Sequence, residues 1–450
     1  MGSERSYWNP ELETRPWEQV LSHQLACAAE LIRDLPARSA LYRSKLAGLS
    51  PVDGPISAGQ LNALPLTTKD ELRLGQENQA PGQPLGLQQA VDLQRIVQFV
   101  SSSGTTGRPV YFGLTRADLE TWVDGVANTF FTAGIRPDDV VAHLVSLPMV
   151  AGGLSYADGF RRIGAALAWV GGLPPERMLA SIRAVQATAI LSTTSFALYL
   201  TDNCWRLAGC AASELGVRKV LGGGESGLGQ PEIRDRIVKG WRTHHVRETM
   251  GLGDVLSSMW SECDDASGMH FNAQAHVLVE LINSVTLESV PWQEGATGEA
   301  VYTTLGREAT PLLRFRSFDH LLVTGTSCPC GRTSPKVRCF GRTDDMLIYK
   351  GMNVFPTAIR DVVMSSFREA VEPNLRIWKD AQDQVRFNTA IPMDVEARAD
   401  LAAERYMAVA RGIGEAIRAQ LQVRAEVTVL PPGSIPRTEY KTPLVYVRNQ

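Results

Sequence analysis

Several groups of residues in this chain have types and spacings that could do chemistry. The first is Ser103, Gly104, Thr105, Thr106 and Gly107, followed by Arg108 and Pro109. Glycines let a backbone approach an anion and turn its N–H groups toward it, and small hydroxyls add donors without bulk. Residues 95–100 read as a short buried strand and residues 110–114 resume an extended pattern, so the run is a tight loop between strands. It fits an anion clamp, and its composition alone fits a solvated loop equally well. No Gly-Lys-Ser/Thr closes it, which makes a Walker A loop a poor fit. The second group is Cys263 and His270 with Cys328 and Cys330, two local pairs of soft or borderline donors, as a closed tetrahedral zinc site needs. Two unrelated loops with reduced cysteines are the alternative, and Cys339 is a substitute ligand. The third, Gly222 to Gly227, formally matches GxGxxG after a strand, with Glu248 downstream. It lies mid-chain rather than in a first βαβ unit, so a strand-to-loop turn lining a pocket is the better reading. Two further runs are Gly341-Arg342-Thr343-Asp344-Asp345 and Ile435-Pro436-Arg437-Thr438-Glu439-Tyr440-Lys441. Locally these read as a polar linker and a solvated tail lysine. No Gly-x-Ser-x-Gly elbow is present to suggest a serine triad.

The elements that must position these groups alternate. Residues 17–46 carry an amphipathic stripe (Val20, Leu21, Leu25, Ala28, Leu31, Ile32), and Thr67-Thr68-Lys69 looks like a hydroxyl-capped helix start. Helices are expected over 117–133, 160–166, 175–187 and 196–207, with strands at 140–145, 167–170, 190–192 and 217–221 between them. That alternation marks parallel βαβ units covered by helices on both faces. Around 277–288 and 298–305 the texture changes to an added β-rich lobe. The tail from 345 suggests a small α+β unit: strand 346–349, a helix from about 356, strand 385–391, helix 395–420 and strand 427–429. The expected fold is therefore α/β, a large multi-lobed N-terminal domain with mostly parallel sheets and a small C-terminal α+β domain.

Composition bounds the partners. The 450 residues can bury a large core, with 44% hydrophobic and 21% charged residues. A net charge of −3 gives no reason to expect nucleic acid or an anionic membrane. No apolar run approaches bilayer length and the first residues contain no signal-peptide core, so a cytoplasmic location is expected. Seven cysteines, an odd number, argue for reduced thiols.

Taken in order, these segments resemble the adenylate-forming superfamily and specifically its phenylacetate-CoA ligase branch. The resemblance runs almost end to end. It covers Tyr7-Trp8-Asn9-Pro10-Glu11, Leu64-Pro65-Leu66-Thr67-Thr68-Lys69, the 102–109 loop, Gly223-Gly224-Glu225 and Gly298-Glu299. It continues through Pro311 to Asp319, Gly341 to Leu347, Gly351 to Pro356 and Pro436 to Lys441. It implies an acid:CoA ligase that joins a carboxylic acid to ATP, releasing pyrophosphate, and then lets the thiol of coenzyme A displace AMP. By the same resemblance, Ser103 to Gly107 wrap the pyrophosphate, Asp319 holds the ribose hydroxyls and Arg342 reaches the ribose or α-phosphate. Gly223, Gly224 and Glu225 flank the adenine and the acyl group. Lys441 stands between the attacking carboxylate and the α-phosphate, offsetting charge in the transition state. Asp344 matches the hinge, dividing 1–343 from a mobile 344–450. Glu262-Cys263, Gly268-Met269-His270 and Cys328-Pro329-Cys330-Gly331-Arg332 match a family pattern that implies structural zinc, and the family points to a homodimer.

Departures bear on the substrate. Where the family reads Tyr-Gly-hydroxyl-Glu, this chain has Met250-Gly251-Leu252-Gly253-Asp254, so Asp254, shorter and one position later, stands in for the glutamate that would hold Mg2+ directly or through water. The acyl pocket, with Val145, Leu147, Met149, Val150 and Gly251, lacks the aromatic walls of aryl-specific relatives, and Ala157-Asp158 replace a histidine-tyrosine pair. A small aliphatic or hydroxylated acid is as consistent with this as an unusual aryl acid. Two other readings are an adenylating enzyme that passes the acyl group to an amine or carrier-protein thiol, and a degenerate adenylate-binding protein.

Overall fold

Strands as apolar as Ala189–Ser192, buried along its whole length, need a cover on both faces. In the computed structural model Ala189–Ser192 has that cover. The model describes residues 6–50, 52, 54–77, 80–102, 109–145, 151–225, 227–350, 352–381, 384–436 and 442–448, with only the backbone at 344 and 353. Val140–His143 pairs in parallel with Ala166–Trp169 and Ala189–Ser192, and the parallel run continues through Lys219–Gly222 to His245–Leu252. The connecting helices Leu154–Ile163, Pro175–Ala184, Thr194–Ala208 and Pro231–Trp241 make these right-sized βαβ crossovers.

At His245–Leu252 the chain reverses. Leu256–Glu262 returns antiparallel, and Met269–Phe271, Lys336–Arg342, Phe315–Gly325, Thr297–Thr304 and Val277–Ile282 extend one sheet to eleven strands. The β-rich lobe is thus continuous with the parallel half. The N-terminal helix, expected over 17–46, is two helices, Trp17–Arg38 and Ala40–Lys45, separated at an extended Ser39 just after Pro36. The segment that follows these helices is clamped to the sheet by Arg314, whose buried guanidinium pairs with Glu280 (3.1 Å) and donates to the carbonyls of Asn62 (2.6 Å) and Leu64. Among the described residues no helix is long and apolar enough to cross a membrane.

The tail has its own core, in which Val363, Ile377, Val395, Ile413 and Ile417 meet. The helix expected over 395–420 begins only at Tyr406. Residues Ile391–Ala397 form a strand between Val371–Lys379 and Ala425–Leu430. Ile391, Met393 and Val395 are buried at a period of two, whereas Val409, Ile413 and Ile417 recur every four residues. Contacts between this unit and the large domain include polar ones. Gln230 donates to Asp361, and the hydroxyl of Thr357 donates to the carbonyl of Phe340. Burial, with Glu232 nearby, outweighs Arg360 and Arg338 and raises Asp361 to about 6.

A carboxyl group whose folded pKa is raised above its ordinary value favours the fold below that ordinary value, and the advantage fades as pH rises through about 6. Asp361→Asn keeps the acceptor for Gln230 and removes the charge. It should stabilise the protein by on the order of 1–2 kcal/mol at pH 7.5, with the gain shrinking toward pH 5. Thermal unfolding across that range checks this, and a variant less stable at pH 7.5 would contradict it.

Candidate functional site

The antiparallel register of Phe315–Gly325 against Lys336–Arg342 sets Asp319 opposite Arg342, and the Arg342 Nη1 to Asp319 Oδ1 distance is 2.9 Å. The Asp319 carboxylate is 8% exposed and its N–H donates to Ser317 Oγ, so the pair is fixed from the core side. The next residue in the chain, Thr343, is held as firmly. Its hydroxyl donates to Glu299 Oε2 (3.1 Å) and so accepts from His320 Nε2 (2.6 Å), while Arg316 grips Glu299 from the other side at 2.6 and 3.0 Å. Asp344 therefore follows an anchored residue.

The Ser103 to Gly107 run, together with Leu147, Met149, Val150 and Lys441, lies outside the described residues. The stems of the first loop are described: Gln98–Ser101 pairs antiparallel with Tyr111–Leu114, and Ser102 N–H donates to the Val110 carbonyl at 3.0 Å. Beside Ser101 and Ser102 runs the turn that carries Asp254. A side chain at Gly253 would stand 3.5 Å from the Ser101 carbonyl, and one at Gly251 would stand 2.2 Å from the Ser257 carbonyl of the returning strand. Gly251 is therefore required by the close hairpin itself. Arg307, buried under Phe112 and Trp122, donates to the carbonyls of Asp254 (2.7 Å) and Val255 (3.2 Å) and so sets the turn. Burial lowers this guanidinium to about 10, with Asp118 and Asp254 opposing the shift. The Asp254 carboxylate, 7% exposed, faces Lys69 Nζ at 3.3 Å. Lys69 begins the helix Lys69–Glu77, whose start is fixed by Thr68 N–H donating to Glu71 and by the bridge from Thr67 to Phe315.

Gly223, Gly224 and Glu225 follow the strand Lys219–Gly222 as a loop. Glu225 Oε1 accepts from the N–H and hydroxyl of Ser195 at the start of Thr194–Ala208, where a carboxylate is favoured by the helix dipole. Glu248, the acid that a dinucleotide fingerprint would aim at a ribose, is instead buried and accepts from Gly227 N–H at 3.1 Å. Val145 and Ala157 are buried, whereas Asp158 pairs with Arg161 at 2.9 Å one turn along its own helix.

The matching family model, AMP-binding enzyme C-terminal domain, covers residues 351–447. The phenylacetate-coenzyme A ligase of Thermus thermophilus is 30% identical over 449 residues, spanning 96% of this chain and 97% of that protein. The chain belongs to the phenylacetate-CoA ligase branch of the adenylate-forming superfamily. Within that superfamily, a crystal structure of 2-hydroxyisobutyryl-CoA ligase in the postadenylation state superposes with a TM-score of 0.88 at 25% identity, covering 100% of this chain and 94% of that one. The same ligase in the thioesterification state, with 2-HIB-AMP and CoA, superposes at 0.71 with 26% identity, covering 99% and 93%. At nearly equal coverage, the chain superposes more closely on the postadenylation structure than on the thioesterification one.

The second site in this family member is the cysteine-histidine cluster. Cys263, His270, Cys328 and Cys330 come together with all four donor atoms within 4.8 Å of one another, and Cys339 stands apart, against the Gly341 carbonyl. A tetrahedral zinc with sulfur at about 2.3 Å and nitrogen at about 2.0 Å would set sulfurs about 3.8 Å apart and sulfur about 3.5 Å from nitrogen. Cys263 Sγ and Cys328 Sγ are 3.6 Å apart, and Cys330 Sγ is 3.4 Å from His270 Nε2. The 3.6 Å separation is far too long for a disulfide. His270 Nδ1–H donates to the Ser334 carbonyl at 3.1 Å, which leaves Nε2 as the ligand atom. The donors fit zinc, and with four protein ligands the ion would be structural. The hydrogen bond from Cys263 pulls Cys330 well below the thiol range, while that shared proton and burial push Cys263 up. The N-terminal segment seals the cluster: Tyr7 Oη donates to the Cys330 carbonyl at 2.8 Å, and Arg332 forms a buried pair with Glu13 at 2.8 Å.

Lys69, Arg307, Thr343 and Ser195 escaped sequence reasoning as site residues. Lys69 carried a helix-start motif and Thr343 stands within the 341–345 run, whereas Arg307 and Ser195 are placed by partners far along the chain. For the metal cluster, elemental analysis should find one zinc per chain. Chelation or Cys330→Ser should lower the melting temperature by about 5 °C or more and expose the segment around Tyr7 and Glu13 to protease. No zinc together with an unchanged melting curve would contradict the metal centre.

Proposed function

We propose that this chain is an AMP-forming acid:CoA ligase whose two half-reactions are served by one nucleotide site and two settings of the C-terminal unit. The Asp319 and Arg342 pair, placed directly before the anchored Thr343, carries the reading. It sets the ribose- and phosphate-binding groups at the last rigid point before the tail turns away. In the first half-reaction a carboxylate oxygen attacks the α-phosphorus, and the bond to the β-phosphate oxygen breaks, releasing pyrophosphate. In the second, the CoA thiolate attacks the acyl carbon and AMP leaves with the electrons of the broken C–O bond.

Role assignments follow the family motifs residue by residue. Ser103 to Gly107 take the β- and γ-phosphates, with the Arg108 guanidinium suited to bidentate phosphate contact. Asp319 takes the ribose hydroxyls, Arg342 the ribose or α-phosphate, and Gly223, Gly224 and Glu225 the adenine side. Lys441 supplies the positive charge that offsets the transition state. Asp254 suits Mg2+ through water, since a buried carboxylate already facing Lys69 has one charge of its own to balance. Asp344 is the hinge between 1–343 and 344–450.

The few aromatic residues of the 145–158 segment suit a small aliphatic or hydroxylated acid as well as an unusual aryl acid. The T. thermophilus relative is a phenylacetate-coenzyme A ligase and the structural neighbour a 2-hydroxyisobutyryl-CoA ligase, so both acids belong in the test panel.

With ATP, Mg2+ and a panel of aliphatic, 2-hydroxy and aryl acids, pyrophosphate should be released with at least one acid, and added CoA should yield the acyl-CoA by mass. Adenylate without CoA ester would point to another acceptor, and no pyrophosphate with any acid would contradict the assignment. Lys441→Ala should slow adenylation by about 100-fold or more while ATP affinity stays within about threefold. Full adenylation in that variant would contradict the lysine's role.

A further inference from the structure

One guanidinium joins the large domain to the tail outside the nucleotide site. Arg236, on the helix Pro231–Trp241, donates from Nε to Asp202 Oδ1 (3.0 Å) and from Nη2 to Asp202 Oδ2 (2.8 Å). The same Nη2 lies 2.7 Å from Glu372 Oε2, on the strand Val371–Lys379 of the C-terminal unit. Asp202, on the neighbouring helix Thr194–Ala208, holds the planar fork bidentately so that its remaining edge meets Glu372. Burial works against the charge, and the two carboxylates more than offset it. At a cleft between the same two parts, lined by Ser195, Glu225, Arg360, Asn374 and Thr442, the second oxygen of Glu225 accepts the backbone N–H of Thr442 at 3.3 Å. Its first oxygen is already taken by Ser195. Thr442 is the residue after Lys441 in the chain.

We propose that Arg236 and Glu225 are positioning residues for the adenylation half-reaction, holding the C-terminal unit by its Glu372 carboxylate and its Thr442 amide. The proposal rests on the reading of Lys441 as the adenylation lysine. Both contacts start from groups that are fixed on the large domain before the tail docks. When the tail rotates for thioesterification, Arg236 keeps Asp202 and Glu225 keeps Ser195, so undocking leaves neither charge buried and alone. Glu372 and the Thr442 amide pass into water. The contacts therefore bias the docked setting without trapping it, as an enzyme that must alternate requires.

The test uses the full-length protein and measures the half-reactions separately: pyrophosphate release with ATP and acid, and CoA ester formation from supplied acyl-adenylate. Glu372→Gln keeps shape and leaves Arg236 paired with Asp202. Thr442→Pro removes the N–H that Glu225 accepts. Each should slow adenylation about three- to tenfold and leave thioester formation from supplied adenylate unchanged. In Arg236→Gln protein, adding Glu372→Gln should cause no further loss. Lys441→Ala run in parallel separates the two ideas. If it retains adenylation, the lysine reading fails. If it loses adenylation while Glu372→Gln and Thr442→Pro both adenylate at the wild-type rate, the positioning role is overturned. A loss shared equally by both half-reactions, with a lower melting temperature, would also overturn it, since that marks a merely structural contact.

Discussion

The register of one strand, Lys336–Arg342, governs the rest. It emerges from the Cys328 to Ser334 segment, pairs with Met269–Phe271 so that Lys336 stands opposite His270, and pairs on its other side with Phe315–Gly325 so that Arg342 stands opposite Asp319. It then runs without interruption into Thr343. The Cys328 and Cys330 segment thus precedes this strand, Arg342 paired with Asp319 closes it, and the anchored Thr343 follows it. Side chains alternate faces along a strand, so a slip of one residue would turn Arg342 from Asp319 and draw Lys336 away from His270 together. The cysteine-histidine cluster and the buried Glu13 and Arg332 pair lie at the start of the strand that ends on Arg342.

The two parts of the molecule are held by different physics. Within the large domain the core is apolar and continuous from Phe112 through Trp260 to Val337, and the buried guanidinium of Arg314 is held there by Glu280 and two backbone carbonyls. Between the large domain and the tail the joining groups are polar: Gln230 with Asp361, Arg236 with Glu372, and Glu225 with Thr442. Polar contacts of this kind are directional when made and give little penalty when exchanged for water, whereas an apolar seam would resist each turnover. At the junction itself the contact is apolar: Phe355 packs on Gly341 and against His320 and Phe340.

Much of this was legible in the sequence, and the rest was hidden for physical reasons. The alternation of short apolar strands with helices is a local signal, and the parallel half of the sheet follows from it. The Cys263, His270, Cys328 and Cys330 spacing announced four donors, and folding brings them within 4.8 Å of one another. What local pattern could not carry is long-range pairing. The β-rich lobe looked like an addition because nothing near residue 250 says that Leu256–Glu262 returns antiparallel on a parallel strand. The end of the strand Ile391–Ala397 reads as the start of a helix because Val395 precedes a helical stripe, and its two sheet neighbours lie about twenty and thirty residues away on either side. Asp254 reads in the sequence as the residue that would hold Mg2+, yet its partner Lys69 lies 185 residues earlier. Docking of Arg236 on Glu372 has no sequence signature at all, since a surface Arg and a strand Glu are ordinary residues until the tail folds against them.

The central claim is that one site makes an acyl-adenylate reversibly, with the acid as an obligatory partner. Isotope exchange between labelled pyrophosphate and ATP reads that step alone, without CoA and without product release. The account predicts exchange that requires Mg2+, appears only when an accepted carboxylic acid is present, and is lost in Asp319→Ala protein that remains folded. Exchange in the absence of any acid, or none with any acid at saturating ATP, would contradict it.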